Sequence, residues 1–292
     1  MGQLISSILI GIVTGSIYAL LALGLVLIFK TQRVVNFAQA EFATMGAFAF
    51  YILHANYGVG YGWAAVLAVL ISALIALVVE RVVIRPLRES RDVTVFVATA
   101  GVGLFIVSMT LFIGDANIRQ VEPIFPGNPG ITVAGLPISY QQLLVIGVLA
   151  AVAALLTVFF KLPLGRALLA VSREPFAVRL AGISTSRLSM LVWVMAGLIA
   201  GLAGVFFAPT TQLTPGLFTQ AALFPALTGA VLGGLTSLPG AVVGGLVVGI
   251  VQTVASVYLT NIGVPGPDTA IVFVMLLAVL FFRPQGLLAK EA

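Results

Sequence analysis

The chain contains no cysteine, one histidine and two tryptophans in 292 residues. Without cysteine there is no disulfide, no thiolate metal site and no cysteine nucleophile. A single histidine, His54, cannot build a His-rich metal cluster, so a metal site is not expected. Charge is equally scarce, with Asp, Glu, Lys and Arg at 8% of residues against about 25% in soluble domains. No Gly-x-x-x-x-Gly-Lys-Ser/Thr run occurs, so the chain has no phosphate loop with which to hydrolyse ATP. No evident nucleophile–base pair accompanies these absences, and an intramembrane enzyme is poorly supported. The start, Met1-Gly-Gln-Leu, has no basic segment ahead of its apolar run, and that run is too long for a leader core; it reads as a first membrane span.

What is present is grease. Hydrophobic residues make up 61% of the chain and mean hydropathy is +1.20. Several runs reach the roughly 20 apolar residues that carry a helix across about 30 Å of hydrocarbon. They lack the alternation of barrel strands. The expected fold is all-α, a polytopic membrane helix bundle of about eight to nine transmembrane helices in one domain, 1–292, with spans near 4–29, 36–53, 63–79, 93–113, 141–160, 188–207, 221–235, 241–259 and 269–282.

Polar residues inside those spans are few enough to be read singly. Asn36-Phe-Ala-Gln-Ala-Glu41 opens the second span. A carboxylate about 7 Å along a span, at 1.5 Å per residue, is costly unless paired or facing water. Glu41 is therefore either a pathway or gating residue, or an acid favoured by the positive end of a helix. Asn36 and Gln39 accompany it. Thr99 and Ser108 of the fourth span either line a path or pack helices. Gly11 and Gly15, and the glycines at 240, 244, 245 and 249, have the small-residue spacing that lets helices approach closely. His54 is expected to face solvent in a Gly- and aromatic-rich loop. The stretch 114–140 holds Pro123, Pro126, Pro129 and Pro137 among glycines, which argues for turns or short strands able to meet an external partner.

Charge sets the orientation. With the N-terminus outside and the C-terminus in the cytoplasm, thirteen of fourteen Lys and Arg fall on the cytoplasmic side and Arg119 alone falls outside. The net charge of +5 reflects this bias and is not a nucleic-acid footprint. The basic stretch 161–187 is then cytosolic. Within it Pro175 can start a short helix and Gly182 end it, with Phe176 and Leu180 on one face. It is either a docking helix offered to a partner or a solvated connector. A weak echo links Phe29-Lys-Thr-Gln…Asn36…Glu41…Gly46 to Phe207-Ala-Pro-Thr-Thr-Gln…Phe218-Thr-Gln…Gly229. The two units run in opposite directions, as possible inverted repeats with a path between them.

With those motifs placed, the chain resembles the membrane subunits of bacterial ABC importers for branched-chain amino acids, of the LivH type. The likeness runs from Gly15-Ser-Ile-Tyr-Ala-Leu-Leu-Ala-Leu-Gly24 to Phe282-Arg-Pro-Gln-Gly286. It is carried by Val35-Asn-Phe-Ala-Gln-Ala-Glu41, by Gly165-Arg-Ala-Leu through Arg179-Leu-Ala-Gly-Ile183, and by Ala230-Val-Leu-Gly-Gly-Leu-Thr-Ser-Leu-Pro-Gly240. Gln39 and Ala40 stand where the family has His and Gly, which bears on the substrate, since relatives import urea, short amides or other amino acids.

The resemblance implies a permease in the bacterial inner membrane that is no enzyme and holds no cofactor. ATP would be used by two cytosolic ATPase partners, beside a second related permease subunit and an extracytoplasmic substrate-binding protein. It makes Asn36, Gln39, Glu41 and Thr99 the pathway candidates. Arg173, Glu174, Pro175, Phe176, Arg179 and Leu180 become the ATPase-coupling candidates. The rival is a self-sufficient secondary transporter or channel.

Overall fold

The computed structural model describes residues 2–88, 90–114, 117–125, 127, 130–133, 136–174, 178, 180, 182–260 and 266–288. The apolar runs become helices α1 (Gly2–Gln32), α2 (Gln39–Tyr51), α3 (Tyr61–Val79), α4 (Asp92–Gly114), α5 (Tyr140–Phe159), α6 (Pro163–Arg173), α7 (Thr185–Phe207), α8 (Phe224–Gly233), α9 (Leu238–Thr260) and α10 (Pro267–Phe282). Single π-turns extend three of them: Ile52–Asn56 after α2, Glu80–Ile84 after α3, and Thr219–Leu223 before α8. Six of the helices are long and apolar enough to cross a membrane, with Thr219–Gly233 and Pro267–Phe282 as shorter apolar helices.

Two helices are central because they are apolar on every side. From Gly15 to Ile28, α1 is buried without interruption, and it packs on α5, α7, α8 and α9. The other is α7, which α2 and α3 flank. The glycine spacings explain how the backbones come so close. Gly11 and Gly15 of α1 lie against the backbone of Ile250 and Leu246, and a side chain on Gly249 would collide with Gly15. On its other side α9 presents Gly244 to the backbone of Gly229 in α8. The two glycine-spaced stretches seen in the sequence are thus each other's partners. Gly197 and Gly201 of α7 seat α3, and Gly204 seats α2 against the Ala43 carbonyl. On the outer helices, Leu70, Leu74 and Val78 of α3, Leu104 and Phe112 of α4, and Phe273 and Phe281 of α10 remain exposed, the placement expected where the solvent is lipid.

Helix direction alternates, so one end of the bundle collects the connections after α1, α3, α5, α8 and α10. This end is tied together by Lys30 Nζ donating to the Thr236 carbonyl at 2.8 Å and by the Leu287 N–H on Leu232 O at 2.8 Å. It is also the basic end, carrying Lys30, Arg33, Arg81, Arg85, Arg88, Lys161, Arg166, Arg187 and Arg283. Arg119 sits at the opposite end, its guanidinium 5.0 Å from the Tyr51 ring. There, β1 (Arg119–Gln120) pairs antiparallel with β4 (Gln212–Leu213), and β2 (Gly130–Val133) with β3 (Leu136–Ser139). The Pro/Gly-rich stretch therefore holds short strands, and Ser139 and Gln142 cap α5 reciprocally.

Three local readings change. His54 is half-buried in the continuation of α2, stacked on Phe50 at 5.5 Å with Nδ1 2.8 Å from the Val59 carbonyl; it is not a solvent-facing loop residue. The connection after α5 is helical from Pro163, which sits in the first turn where its missing N–H costs nothing. And α3 does not stop at Val79 but continues through its π-turn. Replacing Gly249 with Leu is expected to destabilise the folded chain by about 2 to 3 kcal/mol through overpacking against α1. The measurement is a denaturant titration in mixed micelles, with Gly147→Leu, where added atoms meet open space, staying close to the unsubstituted chain.

Candidate functional site

A helix broken inside a membrane must find partners for the backbone groups it frees. The first break follows α1. Arg33 takes a left-handed conformation, φ 60°, and its N–H reaches the Phe29 carbonyl at 2.8 Å, closing the helix with the turn usually given to glycine. Residues 33–38 then climb back into the bundle. Asn36 Oδ1 accepts from the Ala38 N–H at 3.0 Å, and its amide donates to Gln39 Oε1 at 3.4 Å. Gln39 Nε2 donates to the Ala196 carbonyl of α7 at 3.0 Å. Thr99 of α4 accepts from the Phe37 N–H at 3.3 Å and lies 2.9 Å from the Phe96 carbonyl and 3.4 Å from that of Val35. Gly24 leaves the space that the Gln39 amide fills. Gly24 lies eight residues above the end of α1, so α2 begins about 12 Å inside the bundle at 1.5 Å per residue.

The second break follows α7, through a short 3₁₀ turn, Ala208–Thr210, and β4. Its helix resumes at Thr219, also at mid-depth, where the Tyr18 hydroxyl of α1 lies 3.5 Å from the Ala221 carbonyl. The two short helices meet by their N-termini and run apart. Glu41 Oε1 accepts from the Thr219 N–H at 3.3 Å, and Thr44 Oγ1 from the Phe218 N–H at 3.4 Å. A carboxylate here opposes two positive helix ends, since Glu41 stands in the first turn of α2 and caps the Thr219–Gly233 helix. Its second oxygen, Oε2, has no hydrogen-bond partner among the described residues. The sequence echo falls on these two units: long helix, break, short helix, in opposite directions.

The four pathway candidates are thus brought together in one region. Asn36, Gln39, Glu41 and Thr99 are all fully buried; Asn36, Glu41 and Thr99 bond backbone at a break, and Gln39 bonds the Ala196 carbonyl inside α7. None borders open space in this conformation.

The coupling candidates lie at the basic end. Glu174 ends α6, its N–H on the Ala170 carbonyl at 2.9 Å. Arg173 closes α6, and its side chain lies outside the described residues, as do Pro175, Phe176 and Arg179. Val178 is buried and Leu180 is 75% exposed. Gly182 has φ 77°, and the Ile183 N–H reaches back to Val178 O at 3.2 Å. That is the helix-closing turn expected at Gly182.

Sequence reading missed Glu80, which lies one residue past the span expected at 63–79 and ahead of the basic residues Arg81, Arg85 and Arg88. The π-turn carries it back into the protein, fully buried, where Oε1 accepts from Ser189 Oγ at 2.6 Å and from Arg88 Nη2 at 3.2 Å. Gln32 Nε2 donates to Ser189 Oγ at 2.8 Å, and Trp193 Nε1 to Gln32 Oε1 at 3.0 Å. The signal was the apolar run Val82-Val83-Ile84 beyond Glu80, which a solvated loop does not need.

A family model described as branched-chain amino acid transport system / permease component matches residues 7–282. The chain is 29% identical over 293 residues to the high-affinity branched-chain amino acid transport system permease protein BraD of Pseudomonas aeruginosa, across 96% of this chain and 94% of that one. It is 28% identical over 294 residues to the LivH permease protein of the corresponding Escherichia coli system, with the same coverage. Among solved structures, PsaBC from Streptococcus pneumoniae in complex with Fab matches 94% of this chain and 91% of that chain with a TM-score of 0.51 and 13% identity, a likeness of fold.

Thr99→Val preserves shape but leaves the Phe37 N–H without its acceptor; we expect a loss of about 1 to 2 kcal/mol in folded stability. Ser108→Ala on the exposed side of the same helix should change stability by less than about 0.5 kcal/mol. Paired titrations of both variants measure the difference, and equal effects would show that Thr99 does not hold the break.

Proposed function

Because the chain belongs to the family of branched-chain amino acid transport system permease components, we propose that it is the membrane-spanning subunit of an ABC importer that brings branched-chain amino acids into the cytoplasm. The observation that carries this reading is the family match across residues 7–282 in a chain that has no phosphate loop. Energy comes from separate ATPase subunits. The basic end faces the cytoplasm, as retention of Lys and Arg on that side requires, which puts the N-terminus outside and the C-terminus inside. A second related permease subunit completes the membrane portion, two ATPases dock on the basic end, and a binding protein delivers solute to the end that carries the short strands.

The segment from Arg173 to Ile183 is the coupling element. Leu180 is held outward while Val178 faces inward, leaving a large apolar side chain for an ATPase groove. Nucleotide-driven closure of the ATPases then rocks the permease subunits, and the joint that gives is the one where α2 and the Thr219–Gly233 helix meet. That joint rests on single hydrogen bonds from Phe218 and Thr219, in contrast to the glycine-tight packing of α1 on α9. Solute affinity resides largely in the binding protein. A branched-chain amino acid rather than urea or a short amide is favoured by the relatives' names.

The test is reconstitution into proteoliposomes. The chain alone should accumulate no solute under any ion gradient. With the second permease, the ATPases, ATP and loaded binding protein, it should accumulate leucine, isoleucine or valine. Gradient-driven uptake by the isolated chain would replace this reading with a secondary transporter. Leu180→Asp should abolish ATPase co-purification while leaving membrane insertion intact; co-purification at the unsubstituted level would remove Leu180 from the coupling surface.

A further inference from the structure

Four separate parts of the chain meet at Glu80: the end of α1 through Gln32, the π-turn after α3, the α3–α4 connection through Arg88, and the start of α7 through Ser189. The hydrogen bonds have one direction. The Gln32 amide donates to Ser189, the Ser189 hydroxyl donates to Glu80, and the Trp193 indole fixes the far side of the Gln32 amide. A chain of donors ending on a carboxylate strengthens each link. Its two ends are informative. Ser189 stands in the second turn of α7, five residues after the Ser184 cap that follows the coupling segment. Gln32 is the residue immediately before the break that leads to α2.

The carboxylate is incompletely used. Oε1 takes both Ser189 and Arg88, whereas Oε2, equally buried, has no hydrogen-bond partner among the described residues. Arg88, 39% exposed, reaches the carboxylate by Nη2 alone. A guanidinium grips a carboxylate best with two parallel bonds, and rotating the Glu80 carboxylate so that both oxygens face Arg88 would supply the second while drawing Oε1 away from Ser189. The π-turn at this place is the kind of local irregularity that often marks a functional position in a helix.

We propose that Glu80 is the positioning residue that transmits movement of the coupling segment to the α1–α2 break, by exchanging Ser189 for a two-bond grip by Arg88. This rests on the ABC-importer reading. In the resting arrangement Glu80 holds the first turns of α7 against the end of α1. When the ATPases displace the coupling segment, Ser189 leaves, Arg88 closes on both oxygens, and Gln32 is freed together with the break beyond it.

The experiment uses the full complex in proteoliposomes and reads solute imported per ATP hydrolysed. Glu80→Gln keeps an acceptor for Ser189 but loses the charge that Arg88 grips. We expect assembly and basal ATP hydrolysis to stay within about twofold of the unsubstituted complex and the thermal midpoint within about 3 °C, while import per ATP falls about tenfold. Arg88→Lys, at a half-exposed position and unable to grip with two parallel bonds, should lower the same ratio. The pair Glu80→Gln with Arg88→Lys should be no worse than Glu80→Gln alone, because both remove one exchange. An unchanged ratio in both single variants, or a loss that only follows reduced assembly, overturns the proposal. If the unsubstituted complex imports no amino acid with ATP, the functional reading has failed instead, and spin labels at Arg85 and Arg187 still report whether nucleotide separates these elements in the unsubstituted chain and not in Glu80→Gln.

Discussion

A peptide group has nowhere to turn in hydrocarbon except to another part of the protein. Most of this chain meets that requirement by being helical. The two breaks described within the bundle, 33–38 and 208–218, gather a distinct set of buried polar side chains around them. Asn36 and Thr99 answer the backbone freed at the first break, Gln39 ties it to α7 through the Ala196 carbonyl, and Glu41 and Thr44 answer the N–H groups that open the helix after the second. Breaking a helix inside the bundle is expensive, and the residues that make it tolerable are specific.

Close approach of backbones is the second half of the same constraint. Lipid offers no hydrophobic drive for one apolar helix to leave it for another, so association depends on contact quality. Glycines on α1, α8 and α9 let three helices touch backbone to backbone, and that contact fixes α8 and α9 as one block against α1. The α7–α2–α3 group is held by a second set, Gly197, Gly201 and Gly204. The groups are joined by apolar packing of α1 on α7 and by a few polar contacts, Glu41 and Thr44 at mid-depth and Gln32 and Ser189 at the basic end.

How far the sequence revealed this follows from the same physics. Span existence, helical class and the charge asymmetry were legible because they are set by composition over 20 or so residues. Gly11, Gly15 and the glycines of α9 were legible as packing faces, but their mutual pairing was not, since spacing names a face and not its partner. Glu41 was legible as anomalous; that it would cap a helix 178 residues away was not. The π-turn after Val79 defeated the reading of Glu80, because a basic stretch looks like a loop whether or not its acid folds inward. The helix from Pro163 was hidden by Lys161 and Arg166, which suggested solvent although Gly165 and Leu168 are buried.

Among the described residues, Glu41 and Glu80 are the two buried carboxylates, and each leaves its Oε2 without a hydrogen bond. Their partners differ. Glu41 is opposed by the partial charges of helix ends, Glu80 by the full charge of Arg88. A scaffold with a single conformation gains nothing from either arrangement: a glutamine would satisfy the Thr219 N–H or the Ser189 hydroxyl without the penalty of burying charge. A buried carboxylate with unused capacity makes physical sense where the surroundings move and the second oxygen is needed in another arrangement. Both acids stand on polar contacts between the glycine-packed groups, one at mid-depth and one at the basic end. Under the importer reading proposed above, these are the positions at which a permease driven from its basic end changes its contacts.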